Sequence, residues 1–310
     1  MAEGMKSNWT AADIPSQKGR RVVITGTGGI GYETALELTR AGAEVIMAGR
    51  NKDKGVEAIR KIKALNPKGN IRFEKLDLAD LSSIEAFGKR MRAELKSLDI
   101  LVNNAAVMNP PQRKVTKDGF ELQMGTNYLA HFALTAQLLP LLKKGNKPRV
   151  ITLGSVANRK GVIDFDNLQS EQSYVPMVAY SQTKLACIMF AFELQRRSDA
   201  AGWGITSIAV HPGISRTELI PNGSGKNSAA GIVRRLFGPI LFQPAAHGAW
   251  PSLYAATAIE AKGGSYYGPS KMNEVRGYPN FAKVPPQAED TQVAKKLWEV
   301  SEKLTNVKFV

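Results

Sequence analysis

The feature that most constrains the fold of this chain is a regular alternation of two hydrophobic periodicities between residues 20 and 213. Short runs rich in β-branched residues, such as RRVVITG at 20–26, alternate with longer segments whose apolar residues recur every three or four positions. We predict that the runs are buried parallel strands and that the longer segments are helices. The predicted strands are 20–26, 43–49, 70–78, 98–106, 148–155 and 205–213, and the predicted helices are 32–42, 55–65, 82–95, 125–144 and 179–197.

This alternation indicates an α/β protein, namely a single Rossmann-type doubly wound parallel sheet with helices on both faces and a small C-terminal lid or extension. No Pro, Gly or Ser-rich linker divides the chain. Residues 20–310 are therefore predicted to form one domain, preceded by a polar surface arm at 1–19. In such sheets ligands bind at the carboxyl ends of the strands. We expect the functional residues to lie there.

Composition excludes several classes of protein. Cys187 is the one cysteine, so no internal disulfide can form and a reducing compartment is expected. No run approaches the ~20 apolar residues of a membrane span, and the N-terminus lacks a signal-peptide core. A cytoplasmic protein without stable membrane insertion is predicted. The net charge of +15 raises nucleic-acid binding, but the basic residues are dispersed and no nucleic-acid motif is present, so no such partner is expected.

The first predicted strand ends in TGTGGIG at 25–31, which contains two glycine spacings. Gly26, Gly28 and Gly31 match G-x-G-x-x-G, whereas Gly26, Gly29 and Gly31 match T-G-x-x-x-G-x-G with one residue missing. A tight turn alone needs one glycine. The loop is therefore predicted to let a pyrophosphate approach the N–H groups of the next helix.

The second predicted strand ends in Gly49 and Arg50, where enzymes that prefer NAD carry an acidic residue. A guanidinium suits a 2′-phosphate, and a carboxylate would repel it. We therefore predict NADP(H) as the cofactor, with NAD(H) less favoured. The alternative is that Arg50, Lys52 and Lys54 form only a solvated basic loop.

Tyr180 and Lys184 lie four residues apart on a predicted helix, so their side chains share a face. A nearby ammonium favours the phenolate form of a tyrosine, which suits acid-base catalysis. Ser155 ends the strand before this helix, and Asn127 lies on the preceding helix. Alone, Ser155 is equally explained as a turn residue and Asn127 as a helix contact.

A second Tyr-x-x-x-Lys match, Tyr267 to Lys271, contains Gly268 and Pro269, which oppose a helix. It also has no strand-end serine before it. The first pair is therefore the predicted catalytic pair.

Together these motifs resemble the short-chain dehydrogenase/reductase (SDR) family over residues 18–275. The long gap between Ser155 and Tyr180, the WTAADIP arm and the GGSYYGP segment resemble its retinol dehydrogenase-like and protochlorophyllide reductase-like branch. The residues that carry the family resemblance are TGTGGIG at 25–31, LDLAD at 76–80, NNAA at 103–106, Asn127, Ser155, YSQTK at 180–184 and HPG at 211–213.

The resemblance implies roles for these residues. Ser155 would orient the substrate carbonyl, Tyr180 would transfer the proton, Lys184 would hold the ribose and tune Tyr180, and Asn127 would hold a water in the proton relay. It also selects the glycine spacing with the missing residue. The implied cofactor-binding residues are Gly26, Gly29, Ile30, Gly31, Arg50, Asp77, Leu78, Asn104, Ala105, Tyr180, Lys184, Pro212, Gly213, Ile214 and Thr217.

The predicted function is that of an NADP(H)-dependent carbonyl reductase or alcohol dehydrogenase, with a bulky, partly apolar substrate. Two alternatives remain open: a protein that senses NADP(H) without turnover, and a reductase of a conjugated C=C bond. Residues 218–245 are predicted to form a substrate lid, although a packed surface helix or membrane contact there is also open.

The helix at 179–197 is apolar around most of its circumference, which with the family resemblance predicts a homodimer or homotetramer. Three histidines and the cysteine are assigned no catalytic part. His211 is expected to be a structural residue at a strand end, and Cys187 a buried small hydrophobe. His131 and His247 lack partners at metal-ligand spacing, so no metal site is predicted.

Overall fold

A computed structural model of the protein describes residues 6–214 and 243–310. Each β-branched run forms a strand, and each segment with helical spacing forms a helix. The strands are β1 (Arg21–Thr25), β2 (Glu44–Gly49), β3 (Ile71–Lys75), β4 (Ile100–Asn103), β5 (Arg149–Leu153), β6 (Thr206–Val210), β7 (Tyr266–Lys271) and β8 (Arg276–Phe281). The α-helices described are α1 (Gly29–Arg40), α2 (Lys52–Leu65), α3 (Leu81–Glu94), α4 (Ala130–Leu142), α5 (Pro176–Ala201), α6 (Ala245–Thr257) and α7 (Thr291–Thr305).

The strands form one sheet in the order β3-β2-β1-β4-β5-β6-β7-β8. Neighbouring strands from β3 to β7 are parallel, and β8 pairs antiparallel with β7 at the edge. One hydrophobic core lies between the sheet and α1, α2 and α6, and a second lies between the sheet and α3, α4 and α5. The predicted doubly wound α/β fold is confirmed.

The polar arm is anchored to the domain by Trp9 and by Gln17, whose backbone N–H donates to the Ala41 carbonyl at 2.8 Å. Trp9 is buried and meets the ring of Tyr254 on α6 edge to face at 5.4 Å. The arm therefore does not lie wholly on the surface, contrary to what its polar composition suggests, because burial of the large aromatic ring of Trp9 is favourable.

The outer face of α5 is covered by the C-terminal part of the same chain. Trp298 of α7 is buried, and its ring lies 4.9 Å from that of Phe132 on α4 and 5.7 Å from that of Phe190 on α5. Phe309 packs on the same rings. This intramolecular cover supplies the partner that the apolar circumference of α5 requires.

Across the part of the chain that the structure describes, no helix combines the length and the apolar character needed to cross a bilayer.

Candidate active site

The loop between β1 and α1 requires glycine at three of its four glycine positions. Gly26 and Gly29 have φ of 93° and 52°, which side chains rarely tolerate. A Cβ on Gly31 would lie 2.6 Å from Asn104 Nδ2 and 2.8 Å from the Gly26 carbonyl oxygen. Gly28 has a φ of −133° and open space around it. The backbone thus distinguishes the two spacings, because the glycines it requires are those of the spacing with one residue missing.

The segment after β4 is tied to this loop through Thr25. The Thr25 hydroxyl oxygen accepts hydrogen bonds from the backbone N–H groups of Asn104 and Ala105, both at 2.9 Å. Asn104 Nδ2 donates to the Thr25 carbonyl at 2.7 Å. On its other side, the Thr25 hydroxyl lies 2.9 Å from Nε2 of the buried His131. Sequence reasoning missed Thr25, although its position immediately before Gly26 was a signal.

Asn127 lies in a π-helical turn, Met124–Leu129, directly before α4. Its side-chain amide makes two hydrogen bonds to the backbone of Val107, accepting from the N–H at 2.8 Å and donating to the carbonyl at 2.9 Å. Its own carbonyl oxygen accepts from Cys187 Sγ at 3.3 Å and pairs with His131 Nδ1 at 2.9 Å. The side chain therefore fixes the segment after β4, and the predicted water relay stays a prediction.

Tyr180 and Lys184 lie one turn apart on α5, and both are buried. Lys184 Nζ donates to the Leu153 carbonyl at 2.9 Å and lies 5.9 Å from the centre of the Tyr180 ring. Ser155 follows β5, and its hydroxyl oxygen accepts from the Ala157 N–H at 3.3 Å as the N-cap of a 3-10 helix, Val156–Lys160.

A cavity of about 860 Å³ opens at the carboxyl ends of the central strands. Its wall combines residues from the glycine loop, β5, α5 and β6, which are far apart in sequence. Of the predicted residues, it is lined by Gly26, Gly29, Ile30, Asn104, Ala105, Ser155, Tyr180, Lys184, Pro212, Gly213 and Ile214. The cavity therefore unites Ser155, Tyr180 and Lys184 with most of the predicted cofactor-binding residues.

A second cavity of about 210 Å³ adjoins the first and contains Arg50, Asp77 and Leu78 in its lining. Lys54, on the first turn of α2, also lines it. Gly26 and Ala105 line both cavities, so the two cavities lie side by side. This elongated cleft has the arrangement expected for a dinucleotide. Gly31 and Asn127 line neither cavity, and Asn127 is hydrogen-bonded to Val107, which lines the second cavity. Thr217 lies outside the described residues, as do residues 218–242 of the predicted lid.

Sequence reasoning also missed several residues that line the larger cavity near Tyr180. Met108, Met177 and Val178 give it apolar walls, and Val178 is 65% exposed at the rim. Arg159 lies four residues after Ser155 on the 3-10 helix and contributes a charge. The signal for Arg159 was its position just beyond a strand end.

The second Tyr-x-x-x-Lys match lies on β7 rather than on a helix, so its two side chains do not share the arrangement of Tyr180 and Lys184. There Tyr267 is buried and accepts a hydrogen bond from the Lys262 N–H at 3.0 Å, whereas Lys271 is exposed. Cys187 is buried as expected, and burial raises the pKa of its thiol. His211 is fully buried at the end of β6, and burial lowers its pKa.

Curated relatives match almost the whole chain. Retinol dehydrogenase 13 of Mus musculus is 42% identical over 304 residues, which cover 96% of this chain and 86% of that protein. Polyprenol dehydrogenase of Mus musculus is 38% identical over 299 residues, which cover 94% of this chain and 85% of that protein.

Solved structures share the fold. An uncharacterized protein from Mycobacterium paratuberculosis is 39% identical, with a TM-score of 0.81 and coverage of 98% of this chain and 100% of that one. A short-chain dehydrogenase from Burkholderia cenocepacia in complex with NADP is 22% identical, with a TM-score of 0.61 and coverage of 81% of this chain and 96% of that one. The family model for short chain dehydrogenases matches residues 20–225. With these relatives, and with the cleft at the carboxyl ends of its strands, the chain belongs to the short-chain dehydrogenase family of oxidoreductases.

Proposed function

We propose that this protein is an NADP(H)-dependent carbonyl reductase or alcohol dehydrogenase that interconverts an alcohol and its ketone or aldehyde. The observation that carries the proposal is that one cavity is lined by Ser155, Tyr180 and Lys184 together with the glycine loop and the segment after β6. When bound, NADP(H) supplies or accepts the hydride.

The cleft fits a dinucleotide on physical grounds. Gly26, Gly28 and Gly29 bring the backbone of the β1–α1 loop to the surface of the cavity without side chains, and the N-terminus of α1 opens into the cavity. Arg50 and Lys54 beside the second cavity give the positive charge that a 2′-phosphate requires, which favours NADP(H) over NAD(H).

The chain's own residues account for the proton transfer. In the reductive direction the Tyr180 hydroxyl would give its proton to the carbonyl oxygen, and the Ser155 hydroxyl would donate a hydrogen bond to that oxygen as negative charge develops on it. Lys184, buried one turn from Tyr180, would stabilise the phenolate left behind. Asn127 would act by holding the segment after β4 in place.

The substrate we propose is a bulky, mainly apolar alcohol or aldehyde. Met108, Met177 and Val178 form an apolar wall beside Tyr180. The relatives that carry the names retinol dehydrogenase and polyprenol dehydrogenase act, by those names, on long apolar alcohols. The aldehyde of a long-chain allylic alcohol is therefore the first substrate to test with NADPH. Cytoplasmic localisation and a homodimer or homotetramer also remain proposals, to be tested by fractionation and by mass in solution.

The decisive experiment follows oxidation of NADPH, and separately of NADH, across aryl ketones, enones and retinal-like aldehydes. We expect turnover with NADPH well above that with NADH. Tyr180→Phe should lower kcat by at least a thousandfold, because the proton donor is lost, while leaving NADPH affinity nearly unchanged.

Tyr267→Phe is the matched control, because Tyr267 has the same four-residue spacing to a lysine but lies on β7 and does not line the cavity. It should keep wild-type kcat. Full activity in Tyr180→Phe would refute the proposed chemistry. Tight NADPH binding without turnover across the whole panel would favour the sensor instead. A saturated carbonyl product from an enone would favour C=C reduction.

A further inference from the structure

The β7–β8 hairpin reaches from the sheet edge to the rim of the larger cavity. In its turn Met272, Asn273 and Glu274 have φ of 52°, 53° and 67°, which is unusual for three consecutive residues other than glycine. The Val275 carbonyl accepts the Ile214 N–H at 3.0 Å. The turn thereby contacts the segment after β6 that lines the cavity.

Glu274 bonds to three segments of the chain at once. Its Oε2 lies 3.0 Å from His211 Nε2 at the end of β6 and 2.7 Å from Arg159 Nη2 on the 3-10 helix after Ser155. Its Oε1 accepts the Lys283 N–H at 2.8 Å. Burial alone would raise the pKa of Glu274, but the hydrogen bonds from His211 and Lys283, with the Arg159 charge, lower it to about 2. The group is therefore an anion at neutral pH.

The bond to Glu274 fixes the orientation of the His211 ring. His211 Nδ1 accepts the Gly213 N–H at 3.2 Å, so the ring proton lies on Nε2 and points at the carboxylate. Gly268 leaves space for this ring, since a Cβ there would lie 1.9 Å from Nε2. Gly213 has a φ of 63° and a Cβ there would lie 2.2 Å from the Val275 oxygen. The Pro212–Gly213–Ile214 wall is thus seated on the hairpin.

We propose that Glu274 is a positioning residue that holds the Pro212–Gly213–Ile214 wall, through His211. This wall shares the larger cavity with Ser155 and Tyr180, where the nicotinamide end of the cofactor must lie to exchange a hydride with the substrate. Glu274 lies beyond residues 20–225 that the family model matches. It lines neither cavity, so it acts through His211 and Arg159 rather than by contact. This inference rests on the proposed function, because it requires NADP(H) in the cleft.

The test compares the affinity of the full-length protein for NADPH with its affinity for 2′,5′-ADP, which has the 2′-phosphate but no nicotinamide. In Glu274→Gln we expect the Kd for NADPH to rise about tenfold, which is ~1.4 kcal/mol. The Kd for 2′,5′-ADP should stay within twofold, because the second cavity is untouched. A purely structural role would move both affinities together or neither.

Two further variants complete the design. Glu302 lies on α7, lines neither cavity, and its carboxylate is 3.6 Å from Lys308 Nζ. Glu302→Gln should therefore change neither the Kd for NADPH nor the Kd for 2′,5′-ADP. Should Glu274→Gln fail to fold, Glu274→Asp keeps the charge but is too short to reach His211 and Arg159 together, and it should show the same selective loss. Equal changes for both ligands, or unchanged NADPH affinity, would overturn the inference alone. No NADPH binding by the wild type would overturn the proposed function as well.

Discussion

Single glycines decide whether the β1–α1 loop can keep the backbone shape that forms the cavity wall. Gly31 has no space for a side chain between Asn104 and the Gly26 carbonyl, whereas Gly28 is open and serves as the N-cap of α1. We expect Gly31→Ser to weaken NADPH binding at least tenfold and to lower the free energy of unfolding by ~1–3 kcal/mol through overpacking.

Gly28→Ser is the matched control, because serine suits an N-cap with extended backbone. It should keep the wild-type free energy of unfolding, and because Gly28 lines the larger cavity its NADPH affinity should fall, but by less than in Gly31→Ser. Titration calorimetry and thermal unfolding measure both quantities. A greater loss in Gly28→Ser than in Gly31→Ser would restore the G-x-G-x-x-G interpretation of the loop.

The buried His131 makes the stability of the protein depend on pH. Burial lowers its pKa from 6.5 to about 4, and its neutral ring joins Thr25 to the Asn127 carbonyl. Between these pH values the unfolded chain binds the proton and the folded protein does not. The stabilisation is therefore complete above pH 6.5 and is lost as the pH falls towards 4.

We expect the free energy of unfolding to fall by roughly 3 kcal/mol over this window because of His131. Urea unfolding at a series of pH values measures it. His131→Gln should show a shallower dependence, with the remainder coming from other groups such as His211, whose pKa burial also lowers. Identical slopes in both proteins would contradict the assignment.

At the scale of elements, the π-helical turn before α4 places the Asn127 amide against the Val107 backbone. Asn127→Asp keeps the shape but puts an oxygen against the Val107 carbonyl. We expect it to lower the free energy of unfolding by ~1–3 kcal/mol, because a donor to a partly buried acceptor is lost, and to lower kcat at least tenfold. Chemical unfolding and steady-state kinetics measure the two effects. Wild-type kcat would show that only the main-chain carbonyl of Asn127 matters.

The elements also differ in how well the sequence predicted them. The six predicted strands are present. Five of them are buried on both faces and read as continuous apolar runs, whereas β3 lies at the sheet edge and is only partly buried. The β7–β8 hairpin was not predicted, since Pro269 and Pro279 lie within its strands and face each other. Proline is tolerated at 279 because β8 is an edge strand, and at 269 because the pairing of β7 with β6 ends at Tyr267. Both are properties of position in the sheet rather than of local sequence.

At the scale of the whole molecule, α7 and Phe309 cover the faces of α4 and α5. Trp298 occupies, within the same chain, the apolar surface of α5 that predicted pairing across a dimer, so the proposed homo-oligomer would have to form through another face. We expect Trp298→Ala to lower the free energy of unfolding by ~3–5 kcal/mol and to increase self-association. Light scattering after size exclusion and chemical unfolding test both effects.

Trp250→Ala is the comparison variant, because Trp250 is a half-buried aromatic residue on α6, packed against Tyr278 at 5.5 Å and away from this face. It should leave self-association unchanged. A stable dimer in the wild type that Trp298→Ala abolishes would show that the C-terminal segment forms the interface rather than covering it.

The sequence by itself determined the βα alternation and the glycine loop, and it singled out Ser155, Tyr180 and Lys184 for the proposed reaction, because these depend on local periodicity and on short motifs. The tertiary structure alone decided which glycines lack space for a Cβ, what the Asn127 amide binds, and what covers α5. It also brought Glu274 to His211 and Arg159 across 63 and 115 residues. Such contacts arise only when the sheet order fixes which strand ends are neighbours, and no local pattern encodes that order.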